Sequence, residues 1–131
     1  MPPPDLARLL LAKSDQDIYV LEKLVLDDAA PVEVFGFHAQ QATEKLLKAS
    51  LSKCGIAYGR IHRLGDLVDL GTDHQMNFPE DVEALVDLTP YAVEYRYDSA
   101  PDDGRDDLDK TSVLEKVRSF RAWVVSRIEV T

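Results

Sequence analysis

The chain lacks most of the devices that would pin a function to it by covalent or metal chemistry. It has one cysteine, Cys54, which excludes an intramolecular disulfide and any cysteine-rich zinc site. It has no glycine-rich phosphate loop, no His-Glu-x-x-His element and no paired Cys/His spacing. Carboxylates such as Glu83, Asp87 and Glu94 have no Glu-x-x-His partner, so no di-iron site and no other metal or cofactor is expected. No apolar run approaches the roughly 18 residues that cross a bilayer, so no membrane partner is expected. The opening MPPPDLARLLLAKSDQD has no basic segment before its short apolar run and no small-residue cleavage site, so no signal peptide is expected either. Positive charge is scarce: 15 Lys and Arg stand against 24 Asp and Glu, for a net charge of −9. That balance argues against tight non-specific binding to nucleic acid, which needs cations to neutralise phosphate. It does not exclude a small basic pocket.

What remains is an ordinary soluble composition, 45% hydrophobic and 30% charged. At 131 residues the chain fits one domain, 1–131, able to bury a core without staples. Cys54 follows a helical run and precedes Gly55, where a buried or half-buried inert thiol is expected, and the cytoplasm is the natural compartment.

Strand signals are nearly absent and helical periodicity runs through the chain. A first helix from about Asp5 to Asp28 follows the proline run, with Ala7, Leu11, Ser14, Ile18, Leu21 and Val25 on one stripe. A second, from about Pro31 to Cys54, faces inward with Phe35, Ala39, Ala42, Leu46 and Ala49, alanines that let a neighbour approach closely. Gly55 fits the left-handed position after a helix, and Ile56 the apolar contact that accompanies it. A short third helix, about His62 to Leu70, ends at Gly71. Pro79-Glu80-Asp81 opens a fourth, with Val82, Leu85, Leu88, Ala92 and Tyr95 on its apolar face and Pro90 placed to kink or divide it. After the acidic loop DSAPDDGRDDLD (98–109), a fifth helix runs from about Asp107 to Glu129 on Val113, Val117, Phe120, Val124 and Ile128. The expectation is all-α: an up-and-down antiparallel bundle of about five helices, three of them long.

One stretch of the second helix asks for a function. His38, Gln41, Lys45, Lys48 and Ser52 form a polar stripe at 3-4-3-4 spacing. It reads either as a hydrated face braced by a Glu44–Lys48 pair or as a ridge that contacts phosphate or a partner. Arg60, His62 and Arg63 follow in the next loop. His62 reads as a helix-start packing residue or a ligand contact, and Arg96 as an ion-pair member or an anion contact. His74 reads as a loop residue, and Trp123 and Phe120, with Arg127, as packing residues.

The segment FHAQQATEKLLKASL, then GI, then HRLGDLVDL and later TPYAVEYRYD, resembles the HEPN domain family. The residues that carry the resemblance are Phe37, Gln40, Gln41, Ala42, Glu44, Lys45, Leu47, Lys48, His62, Arg96 and Tyr97, and it spans roughly residues 5–129. It implies a bundle of four or five antiparallel helices, usually a homodimer. HEPN proteins similar to this one are often encoded beside a minimal nucleotidyltransferase, in two-gene toxin–antitoxin-like modules. Others are metal-independent ribonucleases, and some bind nucleotides without catalysis.

Catalytic members carry Arg-x(4–6)-His, because a base must act at the ribose or leaving oxygen while a cation stabilises the phosphorane. Here Arg96 is followed by Tyr97, Asp98, Ser99, Ala100, Pro101, Asp102 and Asp103, and no other arginine lies at that spacing from His38, His62 or His74. No catalytic residue is therefore assigned. The expected function is a non-catalytic partner of a small nucleotidyltransferase in such a two-gene module, with His38, Gln41, Lys45, Lys48, Arg60, His62, Arg63 and Arg96 as the candidates for binding a nucleotide or the partner. The alternative is a ribonuclease of altered motif.

Overall fold

The computed structural model describes residues 5–92 and 108–129. Among them lie five α-helices: α1 Leu6–Leu24, α2 Val32–Lys53, α3 Leu64–Asp73, α4 Asp81–Val86 and α5 Lys110–Ile128, with a 3₁₀ turn at Thr89–Ala92. No strand occurs among the described residues. The all-α bundle expected from the periodicity is present. None of these helices is long and apolar enough to cross a membrane.

The central element is α2. It packs most extensively on α1 and also touches α3, α5 and the 3₁₀ turn. Phe35, Ala39, Ala42, Leu46 and Ala49, the predicted inward stripe, are all fully buried. Ion pairs set the directions: Glu22 meets Arg118 and Asp15 meets Arg121, so α1 and α5 run antiparallel. Lys110, at the start of α5, donates to the Ala30 carbonyl just before α2, so α2 and α5 begin at the same end. The return leg between them is not one long helix but α3, α4 and the turn.

Local chemistry explains most boundaries. Asp27 accepts from the Ala29 amide at 2.9 Å and forms the corner between α1 and α2. At the end of α2, Gly55 has φ +74°, the Ile56 amide donates to Leu51 O at 2.9 Å, and the Gly55 amide to Ser52 O at 3.0 Å. Those two bonds are the Schellman arrangement predicted from Gly55, and Ile56 is buried as its apolar contact. The Asp109 side chain caps α5 by accepting from the Ser112 amide.

Two boundaries differ from expectation. Gly71 does not end α3: the helix continues to Asp73, and the reversal falls at Gln75, with φ +68°. Gly71 is needed for closeness instead, because a Cβ there would lie 2.6 Å from the Phe78 ring. The fourth helix is divided, as Pro90 demands, but it already stops at Val86, and Ala92 is exposed rather than facing the core. Tyr91 is the buried residue of the 3₁₀ turn, laid against α2 at Gly36, where a Cβ would sit 2.3 Å from its ring. Tyr95, Arg96, Tyr97 and all but the last two positions of the acidic loop fall outside the described residues.

Candidate functional site

Two carboxylates organise the polar residues of α2. The first is Asp17, which lies between Ser14 and Leu21 on the buried face of α1. A carboxylate in that position needs partners, since burying an unpaired charge is costly. His38 supplies one, with Nδ1 3.0 Å from Oδ1, and Lys45 pairs with Oδ2. A carboxylate can only accept, so the His38 proton facing it is on Nδ1. The His38 ring stands edge-on to Phe37, with centroids 5.2 Å apart.

The second centre is Glu44, in the row Gln40, Glu44, Lys48 on successive turns of α2. Lys48 Nζ donates to Glu44 Oε2 at 2.7 Å, Gln40 Nε2 donates to Oε1 at 3.2 Å, and His62 Nδ1 lies 2.9 Å from Oε2. Burial alone would raise the Glu44 pKa. The hydrogen bonds from Lys48 and His62, the Lys48 charge and the Gln40 amide outweigh it and hold the carboxyl below its ordinary range. Lys48 Nζ is also 3.0 Å from His62 Nδ1 and sits 5.3 Å from the centre of the Tyr58 ring. The same imidazole nitrogen can therefore donate to Glu44 when protonated or accept from Lys48 when not. Gln41 extends the second centre, its amide donating to Gln40 Oε1 at 2.7 Å.

The stripe read from the spacing is thus divided. His38 and Lys45 serve the α1 seam through Asp17; Lys48 serves the loop side through Glu44. Ser52, last in the stripe, is buried, and its hydroxyl has no hydrogen-bond partner among the described residues. The loop after α2 folds back onto the helix far enough to bring His62 and Tyr58 to Lys48. His62 remains largely exposed, at 66% of its side-chain surface. Arg60 and Arg63 are exposed and form no ion pair among the described residues. Arg96 lies outside the described residues. Cys54 corrects the expectation of a buried thiol: it is exposed, because the chain reverses at the next residue.

Asp17 was not singled out by the sequence reading. Its signal was there: a charged residue immediately before Ile18 in an otherwise apolar stripe, at a position that a helix buries. Gln40 had a weaker signal, one turn before Glu44 on the Glu44–Lys48 row. Among the described residues no cluster of His, Cys, Asp and Glu could hold a metal ion.

The HEPN domain family matches the chain over residues 7–128. The chain belongs to that family. The match takes in α1 through α5 and both carboxylate centres. Neither a curated protein nor a solved structure matches. Within this HEPN domain the Gln40-Gln41 pair and the Glu44-Lys45 and Lys48 positions that suggested the family are the residues that build the two centres.

Proposed function

We propose that this HEPN protein is a non-catalytic binding component: a cytoplasmic homodimer, folded as one domain over 1–131, that associates with a small nucleotidyltransferase in a toxin–antitoxin-like two-gene module. The observation that carries the reading is the missing Arg-x(4–6)-His element in a chain that belongs to the HEPN family. A nucleotide or RNA phosphate is held at the loop, by Arg60, His62 and Arg63, while Lys45 and Lys48 brace the helix behind it. The absence of ion pairs at the two arginines among the described residues supports that placement: no described carboxylate neutralises their charge. Among the described residues, Leu9 and Tyr19 on α1 and Leu26 beyond it are the large hydrophobics left exposed, and they support pairing with a second copy.

Two experiments test this. Co-expression with a minimal nucleotidyltransferase encoded by an adjacent gene is expected to give a co-purifying complex, and sedimentation of the chain alone a dimer. Failure to co-purify, or a monomer at micromolar concentration, contradicts the corresponding half of the reading.

One observation favours the ribonuclease alternative. Asp17 orients His38 through Nδ1, as a carboxylate orients a catalytic imidazole, with Lys45 on the same carboxylate. RNA incubated with the purified protein without metal is nevertheless expected to stay intact. Cleavage abolished by His38→Ala would reverse the assignment.

A further inference from the structure

Another part of the molecule has the chemistry of a ligand site. α2, α3 and α5 end around a groove of about 500 Å³, lined by Lys53, Cys54, His74, Met76, Trp123 and Arg127 among others. We propose that this groove binds a small organic phosphate monoester with an apolar body. The proposal does not depend on the nucleotidyltransferase partnership or on the loop Arg60–Arg63.

The first argument is charge. The chain carries 24 acidic residues, yet among the described residues none that lines the groove is Asp or Glu. Lys53 and Arg127 both line it, and neither forms an ion pair among the described residues. Both stand in the last turns of their helices, α2 and α5, where cations complement the helix dipole. The dipole accounts for two cations at this end but not for the way Arg127 is held. Its guanidinium lies 4.8 Å from the centre of the Trp123 ring, and that ring is stacked on Phe120 with centroids 5.9 Å apart. The Phe78 ring, 5.6 Å from Trp123, braces the same cluster. A planar guanidinium held on an aromatic shelf, with no carboxylate competing for it among the described residues, presents a preorganised pair of donors to an oxyanion.

The second argument is size and lining. The volume falls in the range of pockets that enclose a small organic molecule, and inorganic phosphate alone would leave most of it to water. Met76 and the Trp123 ring give an apolar wall. His74 commits Nδ1 to the Leu70 carbonyl at 2.9 Å, so Nε2 is the nitrogen left for a ligand. At the lip, Gln75 is the one described non-glycine residue with positive φ. A dianion matches two cations, and an organic body matches the wall.

Trp123 is the chain's only tryptophan, so its fluorescence reports this groove directly. Phenyl phosphate is expected to give a saturable change at millimolar concentration or below, with inorganic phosphate and phenol each binding about tenfold more weakly or worse. Lys53→Ala and Arg127→Lys are each expected to weaken phenyl phosphate by about tenfold. Calorimetry is the readout for Arg127→Lys, since that change also alters the indole environment. Far-UV circular dichroism shows whether each variant is folded. No saturable response from the folded wild type overturns the proposal. So does an affinity indifferent to both groove substitutions.

Discussion

Lys45 and Lys48 on α2 and Arg60 and Arg63 in the loop after it carry the same charge within 19 positions of one another, yet their surroundings are opposite. Lys45 faces a buried carboxylate from α1, and Lys48 faces one from its own helix while only 11% of its side chain is exposed. The two arginines are exposed and meet no acid among the described residues. A lysine whose charge is balanced by a neighbouring carboxylate attracts a phosphate weakly, because the pair presents a dipole rather than a net charge. The comparison teaches that a basic stripe in a sequence is not yet a basic surface. The nearest acid decides, and for Lys45 that acid lies 28 positions away.

Substitutions that unbalance the inner pair should break this contrast most visibly. Glu44→Ala leaves Lys48 buried without its carboxylate and is expected to cost about 3 kcal/mol, on the order of 10 °C in Tm. Thermal unfolding checks it, and a shift of a degree or two would mean that Lys48 reaches water readily. Asp17→Ala comes next, at about 2 kcal/mol. It leaves His38 and Lys45 without the carboxylate they share, but Lys45 is 29% exposed and can turn outward.

Acid provides a sharper probe of the same pair. The Glu44 carboxyl is held below its ordinary range in the fold, so its contribution is present at neutral pH and is lost as pH falls from about 4.3 through the lower folded value. Urea midpoints measured from pH 7 down to pH 3 should therefore fall more steeply for wild type than for Glu44→Gln. Parallel curves would remove the coupling. The smallest effect belongs to the loop: Arg60→Ala/Arg63→Ala is expected to leave stability within about 0.5 kcal/mol, as befits exposed side chains without ion-pair partners among the described residues.

Much of the fold could be read from spacing. The buried alanines of α2, the Gly55 reversal and the break forced by Pro90 are local effects, written within a few residues of where they act. What could not be read was non-local. Gly71 resembles a helix stop, and only the Phe78 ring packed against it explains why the helix continues. The stripe from His38 to Ser52 is continuous on a helical wheel. It divides because Asp17 arrives from another helix and His62 from a folded-back loop, and neither distance has a signature in the helix itself. The family resemblance, which rested on Gln40, Gln41, Glu44, Lys45 and Lys48, named residues of both centres without indicating which partner each one holds. Arg96, placed in the same candidate set, falls outside the described residues.

The central claim is that the α2 lysines support the fold while the loop arginines are left to meet a phosphate. Titration of ATP and a short RNA against wild type, Lys45→Ala/Lys48→Ala and Arg60→Ala/Arg63→Ala, with Tm measured on the same samples, tests it most directly. The account predicts that the lysine variant loses stability, and that the arginine variant keeps its Tm and loses about tenfold or more in affinity. Full binding by the arginine variant, with binding abolished in a still-folded lysine variant, would contradict it.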